Sequence, residues 1–217
     1  MKRIKAYLLF TSWRYKLGIF LGLPVAVLAG GLLWGHWGVV SGFGFLMAAG
    51  IIFAEVMTDQ GVFNGIHAKR GYKLDFLKTS PLGEKILFYG LTGDLLRRLL
   101  TAAVCTGIAW AVNVLAMESA WAGCLGMALA IYAVEALGIF ISRFTRSVIL
   151  CLFTAYGCIL AGWSLFGLIG ILSAPGLWVM DGLLAVATAV LSLLVVRTGM
   201  KKWRRTFSDM QENEVKS

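Results

Sequence analysis

Few residues in this chain are of a type that does chemistry, and most of those are acids set in or beside long apolar runs. Glu135 is the one acid well inside such a run. Carboxylates in that setting are costly and are functional candidates by default. It can couple protons to transport, or simply pair with Arg143 or with a group on a neighbouring helix. Glu55 and Asp59 close another apolar run and border a basic stretch, so they are expected to pair with its Lys or Arg residues. Asp94 and Arg98 are four residues apart and can pair on one helix face. Asp181, near the start of the last apolar run, is expected to be a helix-start acid rather than a rim charge.

Other chemistries lack their parts. No glycine-rich phosphate loop ending in Gly-Lys-Ser or Gly-Lys-Thr occurs, so no nucleotide is held in that way, and no HExxH zinc motif is present. His36 and His67 are expected on opposite faces of a membrane, where they cannot share a metal or a dyad. Ser164, in Gly162-Trp163-Ser164-Leu165-Phe166-Gly167, departs from the Gly-x-Ser-x-Gly spacing of a nucleophile elbow and has no histidine at its depth. Cys105, Cys124, Cys151 and Cys158 show no CxxC pairing and are expected to pack as small residues. No catalytic residue and no metal or cofactor site is assigned to this chain.

The elements that position these residues follow from composition. Hydrophobic residues make up 59% of the 217, which excludes a soluble domain with a polar surface. The fold class is an all-α integral membrane protein. A span needs roughly 20 apolar residues to cross about 30 Å of hydrocarbon. Six runs suffice, near 17–35, 38–57, 95–117, 119–141, 147–170 and 176–198. Gly18 and Gly22 at four-residue spacing, with Pro24, suggest close helix approach and a bend in the first.

The net charge of +9 is explained by topology rather than by nucleic acid. All twenty Lys and Arg residues fall on one side of the proposed spans, and the loops around His36, Glu118 and Pro175 have none. The positive-inside rule then puts both termini in the cytoplasm of a multi-pass protein of the cell membrane. Residues 1–16 read as an interfacial amphipathic helix, 17–205 as the transmembrane domain, and 206–217 as a polar, disordered tail. The apolar outer stretch from Ile169 to Trp178 is expected to dip back into lipid.

Between the second and third spans lies the only long polar interval, a cytoplasmic loop over 58–94. In its middle, Leu74 and Leu77 fall on one side of a helix and Asp75, Lys78 and Thr79 on the other, as in a short helix at the membrane surface. Ser80-Pro81 ends it, because proline cannot donate a backbone hydrogen bond.

This order of elements, with Phe76-Leu77-Lys78-Thr79-Ser80-Pro81-Leu82-Gly83-Glu84-Lys85-Ile86-Leu87 in the loop, resembles the permease subunits of type-2 ABC exporters. In that family a leucine-rich surface helix leads through a Ser/Thr-Pro-Leu turn back into the membrane. The loop upstream departs from the family, showing Asp59-Gln60-Gly61 where many relatives have a Glu-rich, Gly-containing stretch.

The resemblance implies a pathway formed by two permease chains, identical or paralogous, with separate soluble ATP-binding-cassette ATPase subunits docked on the cytoplasmic side. ATP and Mg would bind those partners and not this chain. Asp75, Phe76, Leu77, Lys78, Thr79, Ser80, Pro81, Leu82, Gly83 and Glu84 would form the coupling helix. Two rival expectations remain: a standalone secondary transporter using Glu135, and an intramembrane enzyme.

Overall fold

In the computed structural model the described residues are 11, 16–36, 43–63, 80–112, 120–142, 148–172 and 174–215. Among them the chain is all helical, with no strand. Six α-helices follow one another: α1 (Leu23–His36), α2 (Phe43–Phe63), α3 (Gly83–Ala111), α4 (Ala120–Ser142), α5 (Val148–Ile171) and α6 (Ala174–Val215). Three of them contain stretches long and apolar enough to cross a membrane: Ala122–Ile141, Ile149–Ile169 and Pro175–Lys201. The apolar parts of the first two helical segments, Gly18–Leu33 and Phe43–Met57, are shorter.

Helix α4 is the centre of the bundle and packs against α2, α3, α5 and α6. Some 67% of its apolar stretch is buried, against 28% for α5 and 22% for α6. The other two therefore turn most of their side chains outward, and those side chains are apolar. Ile149, Phe153 and Leu160 of α5 and Leu183, Val186 and Leu193 of α6 are all more than half exposed. An apolar exterior of this extent fits a hydrocarbon surround rather than water.

Glycines let the neighbours of α4 come close. A Cβ on Gly138 would lie 2.9 Å from Val56 Cγ2 of α2 and 3.0 Å from Cys158 Sγ of α5. Gly18 and Gly22 do not act in this way: a Cβ on Gly18 would meet nothing within 4 Å, and one on Gly22 only the carbonyl oxygen of Leu17, 3.7 Å away. They belong instead to a π-helical turn, Gly18–Gly22, closed by the Leu23 N–H donating to Gly18 O. Pro24 accounts for it, because its ring crowds the carbonyl four residues back and its missing N–H leaves the α-helical ladder open.

Helix boundaries depart from the sequence expectations in three places. Helix α3 begins at Gly83 rather than near 95, so Glu84 to Arg98 lie within it. Pro81 supplies a turn in which the Gly83 N–H donates to Ser80 O at 2.9 Å and the Leu82 N–H to Ser80 Oγ at 3.3 Å. Glu84 then falls in the first helical turn, where the helix dipole favours an acid. Between α5 and α6 only Leu172 and Ser173 intervene, so the expected outer stretch from Ile169 to Trp178 lies mostly within the two helices. Pro175 is tolerated because it sits in the first turn of α6. Finally, α6 runs on to Val215, and the expected disordered tail is helical over 206–215. No Gly or Pro follows Gly199, and Met210, Gln211, Glu212 and Glu214 are strong helix formers.

Candidate functional site

The stripe of α3 that faces the bundle runs Leu87, Leu91, Asp94, Arg98, Thr101 and Cys105, with Arg97 beside it; all are buried. These positions recur every three or four residues, the spacing of one helix face. The inward face thus carries three charged side chains in its middle, where a helix of this kind ordinarily carries leucine. What makes this possible is Glu55 of α2, which is fully buried and meets both arginines.

The resulting network is dense. Arg97 grips Glu55 with two parallel hydrogen bonds, Nη1 to Oε1 at 2.5 Å and Nη2 to Oε2 at 2.6 Å. Arg98 Nη1 donates to the same Oε2 at 2.7 Å and to the Glu55 carbonyl at 3.1 Å. Asp94 completes it, accepting from Arg98 Nε at 3.2 Å and from Arg97 Nη2 at 3.3 Å. Among the described residues that hydrogen-bond here, two carboxylates and two guanidiniums balance in charge, and the planar guanidinium suits the two-pronged contact with Glu55. The surroundings are apolar: Ile52, Val56, Cys105, Val134 and Cys158 pack together in the adjoining core.

The sequence-predicted residues are distributed as follows. Asp94 and Arg98 do pair, as their spacing predicts. Glu55 pairs with arginines that the sequence places at the loop border, but it does so inside the bundle. Arg97 has no place among the sequence-derived candidates, although its i,i+3 relation to Asp94 is a signal for it. Asp59, His36, His67 and Arg143, and Asp75, Phe76, Leu77, Lys78 and Thr79 of the coupling segment, have side chains outside the described residues, as does the N-terminal segment apart from Thr11 and Lys16. Ser80, Pro81 and Leu82 form the exposed turn before α3, and Gly83 and Glu84 are its first two residues.

Two more acids are buried with no hydrogen-bond partner among the described residues. Glu135 on α4 is 1% exposed, and neither carboxyl oxygen has a hydrogen-bond partner among the described residues. Asp181 on α6 is 4% exposed and likewise unpartnered. Asp181 is therefore neither a helix-start acid nor a rim charge. It lies beyond the first turn of α6 and fills the space left by Gly126, whose Cβ would stand 2.5 Å from Oδ1. Helix α6 starts at Ala174, so Asp181 lies well past its entry.

The remaining candidates have structural roles. Ser164 Oγ donates to the Leu160 carbonyl one turn back, at 3.0 Å. All four cysteines are free, and Cys105, Cys151 and Cys158 are buried. Among the described residues no group of three His, Cys, Asp or Glu side chains is placed to hold a metal ion.

Among the described residues, fold and site together define an all-helical protein, suited in three of its helices to a bilayer, with a buried ion network and, on its central helix, a carboxyl without a hydrogen-bond partner. No protein-family model, no curated protein and no solved structure matches the chain.

Proposed function

We propose that this chain is the membrane-spanning permease subunit of an ATP-driven exporter. It would form the translocation pathway with a second permease chain and be driven by separate ATPase subunits that dock on the connector between α2 and α3. Both termini and the connector are then cytoplasmic, with six spans. This chain binds no nucleotide itself.

The observation that carries the reading is the way the two helices flanking the connector are joined. Glu55 of α2 is clamped by Arg97 and Arg98 of α3 through contacts of 2.5–2.7 Å. A displacement applied at the exposed Ser80-Pro81-Leu82 turn passes along α3 and reaches α2 through these side chains. Leu82 is 56% exposed at that turn and offers an apolar contact to a partner. The resemblance of the Phe76 to Leu87 stretch to exporter permeases points the same way.

The test is copurification with a soluble Walker-type ATPase, and stimulation of that ATPase, for the wild type and for Leu82→Glu. Replacing a central apolar contact with a charge is expected to weaken assembly by roughly thirtyfold. Intact assembly and stimulation in the variant would overturn the coupling assignment. The unpartnered Glu135 favours a second reading, a standalone carrier coupled to protons. Transport by the purified chain without any ATPase would establish that reading and remove the first.

A further inference from the structure

A groove of about 780 Å³ runs between the first turns of α3 and the later turns of α6. Its size is that of a site for an organic ligand. The two helices meet closely just beyond it, where a Cβ on Gly199 would stand 3.0 Å from Leu91 Cδ1. Phe88, Leu193 and Val196 supply apolar lining, and Lys85, Arg197 and Arg204 supply cations. Arg204 is tied to Glu84 across the groove, Nη2 to Oε1 at 2.6 Å. Lys85 and Arg197 have no ion-pair partner among the described residues. The lining therefore carries three cations against one carboxylate.

Two features identify what fits. On α6 no charged residue occurs between Asp181 and Arg197, so Arg197 marks the level at which an apolar exterior gives way to a basic one. Leu193, one turn earlier, continues the exposed stripe of Val186 and Val190, so the groove opens onto the outer apolar face of the bundle. An occupant must then be anionic at one end and hydrocarbon at the other, and must approach from the side of the bundle.

We propose that this groove binds an anionic phospholipid of the surrounding bilayer. The phosphate sits between Lys85 and Arg197, and an acyl chain lies along Phe88, Val196 and Leu193. Lys and Arg side chains near a membrane surface attract anionic headgroups, and their aliphatic stems lie along apolar surface while the charge reaches outward. The inference requires a bilayer around the chain but no ATPase partner, so it stands or falls separately from the exporter reading.

The experiment is native mass spectrometry of the full chain in a neutral detergent, titrated with phosphatidylglycerol or phosphatidylcholine. Phosphatidylglycerol is expected to bind more tightly. The double variant Lys85→Gln/Arg197→Gln is expected to lose about tenfold or more of that affinity, with phosphatidylcholine unaffected. The charge-matched control Lys2→Gln/Lys16→Gln, at residues far along the chain from the groove lining, should change it by less than about threefold.

A second variant, Val196→Trp, fills the floor while keeping every charge and should also displace the lipid. Equal losses in variant and control, no preference for phosphatidylglycerol, or retention of affinity by both groove variants would each overturn the assignment. So would inorganic phosphate competing as well as the intact lipid, which would make the groove a simple anion site. Dissociation of a dimer by the groove variants with lipid binding unchanged would assign it to a second copy of the chain instead.

Discussion

Glu55→Gln is the perturbation that reads the buried network most directly. Glu55 accepts three short charge-assisted bonds, at 2.5, 2.6 and 2.7 Å, from two guanidiniums that are 2% and 1% exposed. Glutamine keeps the shape but leaves one acceptor oxygen, and its NH2 group faces donors that it cannot satisfy. The set passes from neutral to one excess positive charge in an apolar setting. Breaking a buried pair on one side costs about 3–5 kcal/mol, a factor of about 150 to 5,000 in the folding equilibrium.

The exposed pair Arg204–Glu84 is the internal comparison, with its side chains 71% and 49% exposed. Glu84→Gln should cost less than about 1 kcal/mol. Unfolding in mixed micelles can be followed with a thiol-reactive dye, because Cys105, Cys151 and Cys158 are buried until the bundle opens. Adding Arg97→Gln to Glu55→Gln restores neutrality, so the double variant should fall about 2 kcal/mol or more short of the sum of the singles. A cost below about 1 kcal/mol for Glu55→Gln, or strict additivity in the double variant, would refute the network as described.

Two further outcomes follow from packing. Glu135→Leu removes a buried carboxyl that has no partner among the described residues, so it is expected to raise stability by about 1–3 kcal/mol in the same unfolding assay; a loss of stability would reveal a partner. Gly138→Ala must press its methyl against Val56 and Cys158 at about 3 Å and should destabilise by about 1–3 kcal/mol. Gly50→Ala meets nothing within 4 Å and should gain up to about 1 kcal/mol from helix propensity, and thermal melts of the two variants would show the opposite signs.

What was legible in the sequence was local. The Asp94–Arg98 pair follows from helical spacing alone, and the apolar runs mark six helical segments, three of which have the length and composition of spans. The burial of Arg97 and Arg98 was not legible, because an arginine beside a polar loop reads as a boundary charge until its partner is known. That partner, Glu55, lies 42 residues away on another helix, and only the tertiary arrangement brings the two together. Asp181 shows the same limit: its environment depends on Gly126 of α4, a neighbour that apolar composition alone does not reveal. The last part of α6 shows the opposite case: a polar segment reads as disordered, although its residues individually favour a helix.

The strengths of these contacts decide how motion would pass through the proposed permease. Helix α2 packs chiefly on α4 and α5, while α3 packs on α1, α4 and α6, and these two helices approach each other little along their backbones. Besides the apolar core that they share, their polar link is the long side chains of Glu55, Arg97 and Arg98, where loss of one partner costs about 3–5 kcal/mol. At the start of α3 the tie to α6 is the exposed Glu84–Arg204 pair, worth less than about 1 kcal/mol. Of the two ionic ties on α3, the one to α6 is the weaker, although the two helices also pack closely at Gly199 and Leu91. The groove between α3 and α6 lies beside that exposed tie, so a lipid seated there would brace the start of α3 against α6.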